Sequence, residues 1–324
     1  MTAAAKFNFK GIIATAFTPF RHDSVRSLNL EVIPQYAKYF QIKEFGAVLI
    51  NGTYGEGMAM STEERIQVAE AWSEAVKATK QHLMIQVGGT NLQDVKKLAS
   101  HAQSIRANSI LCLPELYYKP RTVEELIDYL KEVGEAAPEI PLFYYHSPDA
   151  TGVNRELAFL EIEASILYVN MAEFFKKVDN KIPSLGGVKF AVADLDACYK
   201  ALRAAANRFK IILANNYILP ASISIGIDTF MPTSMNVAPD LVKKIVGLAE
   251  TGFYSDAQVY QTQLAHAIDQ IADINNGVAM APMKYVTSLT APINVGPTRK
   301  PLRTFDTPED EAQIVLLSKH LMVS

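Results

Sequence analysis

Short apolar runs that alternate with helical sequence constrain the fold of this 324-residue chain more than any other feature. Eight runs have the length and the β-branched or aromatic content of buried strands. Strands buried on both faces and joined by helices form parallel sheets, so the alternation predicts a closed (β/α)8 TIM barrel. The alternative is an open, doubly wound sheet, but no dinucleotide fingerprint follows the first run. The runs are Gly11–Thr18, Gly46–Asn51, Leu83–Val87, Ser109–Leu113, Pro141–His146, Leu185–Phe190, Phe209–Leu213 and Gly226–Met231.

The segments between the runs carry signals of helix starts and of buried helix faces. Ser61 with Glu64, and Thr122 with Glu125, have the spacing of helix N-terminal caps. Helical sequence also follows the fifth run as far as Leu167, whereas the gap between the last two runs is short for a helix. Apolar residues at helical spacing predict two buried faces, formed by Val68, Trp72, Ala75 and Val76 and by Val123, Leu126, Leu130 and Val133.

The C-terminal part of the sequence reads as helical throughout. We therefore expect residues 1–237 to hold the strands and helices of the barrel, and residues 238–324 to hold the last barrel helix plus a C-terminal helical extension. The helices predicted there are Leu241–Leu248, Ala257–Ile274, Ala279–Leu289 and Glu309–Leu321.

Composition excludes several classes of partner. A net charge of −3 and a pI near 6.1, with no basic run, argue against nucleic acid and membrane surfaces as partners. The two cysteines, Cys112 and Cys198, lack CxxC spacing, which favours a reducing compartment. The first ten residues lack the apolar stretch of a signal peptide, so we expect a cytoplasmic protein.

Lys189, near the end of the sixth run, is the residue with the most distinctive expected chemistry. Burial disfavours the ammonium form of a lysine, and the neutral amine can attack a ketone and form a Schiff base. The alternative is that Lys189 lies at the end of its strand and extends to water.

Further polar side chains follow other strand-like runs, where the chemistry of a barrel of this type is located. The turn Gly52–Gly57 allows tight backbone turns that can hold a carboxylate, helped by the Thr53 hydroxyl, although it can equally be a structural turn. Tyr145 is placed to shuttle protons beside a Schiff base, or simply to fill the core. None of the six histidines has metal-ligand spacing, so no metal is expected.

Three motifs in order around the lysine give the sequence a resemblance to a known family. They are similar to the signatures of the dihydrodipicolinate synthase/N-acetylneuraminate lyase superfamily of pyruvate-dependent class I aldolases, and their order resembles the animal lyases in particular. The likeness spans residues 10 to 300 approximately. The motifs are Gly52-Thr53-x-Gly55-Glu56, Tyr145-His146-x-Pro148 and Gly187-x-Lys189-Phe190.

The resemblance implies a mechanism and an assembly. Lys189 would form the Schiff base with the C2 ketone of sialic acid, without a cofactor, and Tyr145 would shuttle the C4-hydroxyl proton. Thr53 and Tyr54 would hold the pyruvate carboxylate, and Tyr117 would reach the site of a neighbouring subunit in a homotetramer. The products would be pyruvate and N-acetylmannosamine.

The sequence departs from the family where the sugar would bind. Tyr54 replaces a small hydroxyl residue, and Ala191 replaces another one after the lysine. In place of the family's Gly-x-Asp-Glu, the chain has Ala214-Asn215-Asn216-Tyr217, which lacks both carboxylates, although Asn216 can still donate and accept. The family's Gly-Ser-Thr-Tyr-Asn corresponds to the stretch from Pro232 to Asn236, which keeps the hydroxyl of Thr233.

Three functions therefore stay open at the level of sequence. The first is a sialic acid lyase with an altered pocket, which the overall resemblance favours. The second is a pyruvate-dependent aldolase for another, smaller or more apolar aldehyde. The third is a catalytically impaired sugar-binding homologue, for which Tyr54 is the strongest argument.

Overall fold

The computed structural model describes residues 6–151 and 170–305, together with Ala312 and Val315. Its eight strands pair in chain order into a closed barrel, and the first strand pairs in parallel with the last. The predicted (β/α)8 barrel is confirmed, and the open sheet is wrong. The strands are β1 (Gly11–Thr15), β2 (Ala47–Ile50), β3 (His82–Gln86), β4 (Ser109–Cys112), β5 (Leu142–His146), β6 (Leu185–Phe190), β7 (Lys210–Leu213) and β8 (Thr229–Phe230).

Helices occupy the connections between the strands and the region after the last strand. The final three agree with the helices predicted after Ala238 to within three residues at either end. The helices are α1 (Ile33–Ile42), α2 (Thr62–Thr79), α3 (Leu92–Ser104), α4 (Val123–Ala136), α5 (Pro148–Thr151), α6 (Met171–Val178), α7 (Leu195–Ala205), α8 (Leu219–Ser224), α9 (Pro239–Glu250), α10 (Tyr254–Asp273) and α11 (Met280–Thr290).

One helix occurs in a connection that, from the sequence, is short for a helix. The connection between β7 and β8 contains α8, which has Pro220 in its first turn. A helix of this length is only about 9 Å long, so the short gap accommodates it. The predicted helix at Glu309–Leu321 lies outside the described residues except for Ala312 and Val315, and so does the part beyond Thr151 of the helical stretch predicted to reach Leu167.

The predicted helix caps are present. Ser61 Oγ accepts a hydrogen bond from the Glu64 N–H at 3.1 Å, and the Glu64 carboxylate accepts one from the Ser61 N–H at 3.0 Å. Thr122 Oγ1 accepts from the Glu125 N–H in the same way. The two predicted apolar faces are buried, with only Val76 partly exposed.

The described residues divide into two compact units. The first comprises the residues up to Lys10 and Met84–Ala214, and so contains β4 to β7 with α3 to α7. The second comprises Gly11–Leu83 and the residues from Asn215 onward, and so contains β1, β2 and β8 with α1, α2 and α8 to α11. None of the described helices combines the length and apolar character needed to cross a bilayer.

The pairing of β5 with β6 determines which side chains of the first unit lie next to each other. Tyr145 is paired with Lys189 in the parallel register. The register shifts near the start of the pair, where Leu142 is opposite Leu185 but Phe143 is opposite Gly187. The extra residue, Gly186, is a bulge of the kind that redirects the following side chains of a strand.

Gly187 is required by a close approach of β7 to β6. A Cβ atom at this position would lie 1.9 Å from the Lys210 carbonyl oxygen. We expect Gly187→Ala to separate the two strands and to lower the free energy of unfolding by at least about 2 kcal/mol, measured as a lower midpoint of thermal unfolding.

The matched control is Gly247→Ala in α9, where a Cβ atom would have no neighbour within 4 Å. Removing a glycine from a helix interior should leave stability unchanged or raise it by up to about 1 kcal/mol. A Gly187→Ala variant that unfolds at the wild-type temperature would contradict the close approach of the strands.

Candidate active site

Lys189 is buried beside Tyr145 in the first unit. The two side chains are only 4% and 6% exposed, and the Lys189 Nζ lies 3.8 Å from the centroid of the Tyr145 ring. The prediction that Lys189 enters the interior is confirmed, and the alternative of a lysine extending to water is wrong. An amine held against a phenol and shielded from solvent has the surroundings that a Schiff-base nucleophile needs.

The neighbours of these two residues along each strand face the opposite side of the sheet. His146 packs on Phe190 with ring centroids 5.3 Å apart, and Tyr144 packs on Phe174 of α6 at 6.1 Å. Burial lowers the pKa of His146 to about 4, so its ring is neutral at physiological pH. His146 is therefore part of the packing between β5, β6 and the helices.

The first unit also contains both alanines of the predicted site. Ala191 and Ala214 directly follow β6 and β7, and their N–H groups donate to the carbonyl oxygens of His146 and Phe190, each at 2.9 Å. Their methyl groups offer no hydrogen bond to a sugar hydroxyl.

Tyr117 is placed differently from the other predicted residues of the first unit. Its side chain is 82% exposed and packs edge-to-face on Tyr118, with ring centroids 4.9 Å apart. The Glu115 carboxylate accepts a hydrogen bond from the Tyr117 N–H at 3.0 Å and another from the Tyr118 N–H. This short loop therefore presents two aromatic rings to solvent.

In the second unit, the glycine-rich turn after β2 depends on its glycines. A Cβ atom on Gly57 would lie 2.0 Å from the Asn51 carbonyl oxygen, and one on Gly55 would lie 2.9 Å from the Asn51 nitrogen. Asn51 and Glu56 both adopt left-handed backbone conformations. Only a backbone without side chains at these two glycine positions can fold back on itself so closely.

The two predicted carboxylate-binding residues of this turn differ in their exposure. The Thr53 side chain is exposed, and its carbonyl oxygen accepts a hydrogen bond from the Glu56 N–H at 3.1 Å. Tyr54 is half-buried, with its ring 5.7 Å from that of Phe17. Tyr54 therefore adds an aromatic surface to the turn.

Asn216 and Thr233 are brought together, but their polar groups bond to each other. The Asn216 Nδ2 donates to Thr233 Oγ1 at 2.9 Å, and its Oδ1 accepts from the Ser234 N–H at 3.0 Å. The Asn216 amide thus fastens the segment after β8 to the segment after β7. These two hydrogen bonds leave the Asn216 amide with fewer donors and acceptors for a ligand.

Tyr217 has a partner that sequence reasoning missed. Its hydroxyl donates to the carboxylate of Asp269 on α10 at 2.9 Å. Burial, this hydrogen bond and the nearby Asp269 and Tyr54 raise the pKa of Tyr217 to about 12. No local motif marks Asp269, because 52 positions separate the two residues.

Sequence reasoning also did not identify a buried ion pair that involves Glu56 of the glycine-rich turn. Glu56 Oε1 lies 2.6 Å from the Nζ of Lys284 on α11, and both side chains are almost completely buried. The available signal was a single lysine within an otherwise apolar helical stretch, Met280–Tyr285.

Within residues 6–151 and 170–305, no group of three or more His, Cys, Asp or Glu side chains could hold a metal ion.

The closed parallel barrel and the buried lysine beside a tyrosine define the class of protein: a TIM barrel with a candidate amine nucleophile. The chain matches the Dihydrodipicolinate synthetase family over residues 8–320 and belongs to that family. The resemblance inferred from the three motifs is confirmed.

Two named relatives and one solved structure are consistent with this family membership. The chain is 30% identical to N-acetylneuraminate lyase of Homo sapiens over 93% of its length and 89% of the relative, and 30% identical to N-acetylneuraminate lyase A of Xenopus laevis over 93% and 92%. It is similar to N-acetylneuraminate lyase of Aliivibrio salmonicida, with a TM-score of 0.86 at 27% identity, covering 99% and 98% of the two chains. The chain is thus an enzyme of this family, in the lyase class to which these relatives belong by name.

Proposed function

We propose that this enzyme is a class I aldolase that cleaves N-acetylneuraminate reversibly to pyruvate and N-acetylmannosamine. The observation that carries the proposal is the buried Lys189, whose Nζ lies 3.8 Å from the centre of the Tyr145 ring. The names of the relatives, which are N-acetylneuraminate lyases, support this substrate.

The chemistry assigned to Lys189 needs no cofactor, because the substrate itself becomes the electron sink. The Lys189 amine attacks the C2 ketone of the open-chain sugar, and the resulting hydroxyl leaves as water with a proton from solvent, which gives a protonated imine. Tyr145 relays the proton of the C4 hydroxyl, taking it up as its own phenolic proton passes to solvent, while the C3–C4 bond breaks and its electron pair moves into the imine to give an enamine. N-acetylmannosamine leaves, C3 of the enamine is protonated, and water then releases pyruvate and free Lys189.

The proposal gives the remaining residues roles in binding. Thr53 and Tyr54 of the glycine-rich turn hold the carboxylate of the keto acid, as a turn with closely spaced backbone N–H groups can do. The proposal assigns a role in binding the sugar to five further residues: Ala191, Ala214, Asn216, Tyr217 and Thr233.

The proposal also covers assembly and location. We infer a homotetramer in which Tyr117 reaches a neighbouring subunit; its 82% exposed side chain in one chain supports this role. We place the enzyme in the cytoplasm, with a small keto acid or sugar as its ligand and neither nucleic acid nor membrane as a partner, in keeping with the pI near 6.1.

A second candidate is a pyruvate-dependent aldolase with a different aldehyde partner. The hydrogen bonds of the Asn216 amide to Thr233 and Ser234 favour it, since they use polar groups that a polyhydroxy chain would otherwise engage. The methyl groups of Ala191 and Ala214 also favour this candidate, because they form no hydrogen bond with a sugar hydroxyl. A smaller or more apolar aldehyde would lose less hydrogen bonding here.

Trapping with borohydride tests the chemistry. Incubation with pyruvate and sodium borohydride, followed by intact-mass analysis and peptide mapping, should show one reduced pyruvate adduct on Lys189. Absence of the adduct would contradict both aldolase functions and leave the sugar-binding homologue. If the adduct forms, release of N-acetylmannosamine from N-acetylneuraminate supports the lyase, whereas trapping without this release supports the second candidate.

A further inference from the structure

The buried ion pair between Glu56 and Lys284 connects the glycine-rich turn to a distant helix. The side chains of Glu56 and Lys284 are 0% and 1% exposed, and the charged atoms lie 2.6 Å apart. Both charges lose their hydration, so such a pair adds little net stability compared with two apolar side chains. Its position beneath the turn indicates a role other than stability.

Lys284 holds the turn at a second point as well. Its Nζ donates to the Thr18 carbonyl oxygen at 2.8 Å, and the Thr18 Oγ1 donates to the Gly55 carbonyl oxygen at 2.6 Å. Two consecutive residues of the turn, Gly55 and Glu56, are therefore fixed through one ammonium group. The ring of Phe20 covers this group, with its centroid 4.4 Å from the Nζ.

Arg299 completes the network from a third part of the chain. Its backbone N–H donates to Glu56 Oε2 at 2.8 Å, and its guanidinium binds both oxygens of Glu64 at 2.7 and 2.6 Å. Glu64 also completes, with Ser61, the capping box at the start of α2, which begins shortly after the turn. The turn and the helix that follows it are thus held by the same set of charges.

We propose that Glu56 and Lys284 are positioning residues that hold the backbone of Gly52–Gly57 in the conformation that binds the carboxylate of a 2-keto acid. This inference rests on the proposed function, because it assigns the turn to that carboxylate. The backbone of Glu56 is left-handed, which is unfavourable for a residue with a side chain, and the contacts of its carboxylate with Lys284 and Arg299 oppose this cost. Neither residue contacts the reacting atoms in this mechanism.

The network also gives the turn a dependence on pH. Burial lowers the pKa of Lys284 to about 8, Glu56 opposes this shift, and the charge of Arg299 adds to it. His22 and Tyr285 line the cavity beside Lys284 and are the other titratable groups there. As the pH rises through about 8, Lys284 loses its proton and Glu56 loses its ion pair, so binding of the keto acid should weaken.

The same titration affects stability with the opposite sign. Between pH 8 and the ordinary pKa of a lysine, 10.5, the unfolded chain binds a proton at Lys284 that the folded chain does not. The contribution of this group to the free energy of unfolding therefore rises with pH. If Glu56 and Lys284 contributed to stability alone, the loss of the Lys284 proton would therefore not weaken the binding of the keto acid above pH 8.

The test measures the pyruvate concentration that gives half-maximal borohydride trapping. Thermal unfolding of each variant checks that it is folded. The variants are Glu56→Gln, Lys284→Met and the double variant, with Lys243→Met as the matched control, because it breaks an exposed ion pair with Glu44 in the same unit. We expect both single variants and the double variant to raise the pyruvate concentration for half-maximal trapping at least about tenfold, with trapping at saturation unchanged. The control should behave as wild type.

The wild-type pH profile needs no variant and guards against variants that fail to fold. Half-saturation for pyruvate should rise as the pH increases through about 8 in the wild type, and this step should be missing in Lys284→Met. A double variant with wild-type half-saturation, or a flat wild-type profile, would overturn the positioning role while the aldolase function stands. Failure of the wild type to be trapped at any pyruvate concentration would overturn the proposed function, and this inference with it.

Discussion

Replacing Lys189 by methionine should abolish the cleavage of N-acetylneuraminate, with a loss in kcat of at least about 10³-fold. Methionine has nearly the length of lysine and fills the same buried space, but it has no amine to form an imine with the substrate. The measurement is the rate of pyruvate release under saturating substrate, together with borohydride trapping, which should give no adduct.

Lys200→Met is the control for this variant. Lys200 lies on α7 and pairs with Asp196 four positions earlier, with its side chain 62% exposed. An exposed pair of this type contributes well under about 1 kcal/mol to stability, and its loss should leave the rate unchanged. Retention of cleavage or of the adduct in Lys189→Met would contradict the assignment of the nucleophile.

Tyr145→Phe should separate the formation of the Schiff base from the cleavage step. The phenylalanine keeps the ring beside the Lys189 amine but lacks the hydroxyl that we propose takes the C4 proton. We expect kcat for cleavage to fall by about 10² to 10⁴-fold, while borohydride still traps pyruvate on Lys189. Single-turnover rates and intact-mass analysis measure the two steps independently.

The neighbouring residue provides a close control, because Tyr144 lies on the same strand and faces the helices. Its ring packs on Phe174, and burial raises the pKa of its hydroxyl. Tyr144→Phe should therefore leave kcat within a factor of about three of wild type. Equal losses in Tyr144→Phe and Tyr145→Phe would indicate that disturbed packing of β5, rather than proton transfer, explains the effect.

The alternation of apolar runs and helical sequence was enough to predict the barrel. Each predicted run contains one of the eight strands or overlaps it closely, because a strand buried on both faces needs a continuous apolar stretch. The largest difference is at the last strand, where β8 has two residues within a predicted run of six, Gly226–Met231. Hydrogen bonding to β1 determines its length, and the sequence of one strand does not reveal that.

The candidate site was predictable to the extent that its residues follow barrel strands. Lys189 and Tyr145 were both identified from the ends of their runs, and their pairing across β5 and β6 is a consequence of the register. The distant partners of Tyr217 and Glu56 were not identified from the sequence. Asp269 and Lys284 belong to helices of the C-terminal region and lie 52 and 228 positions from their partners Tyr217 and Glu56.

The sequence by itself determined the fold class and the family and identified Lys189 as the candidate nucleophile, because apolar periodicity and short motifs are local properties of the chain. Only the tertiary structure decided that Lys189 is buried against Tyr145, that the Asn216 amide is bonded to Thr233 and Ser234, and that Glu56 has a buried cation beneath it. The physical reason is that burial and charge pairing depend on which distant segments pack together. The partners named here are 17 or more positions apart, so a short window of sequence does not contain both.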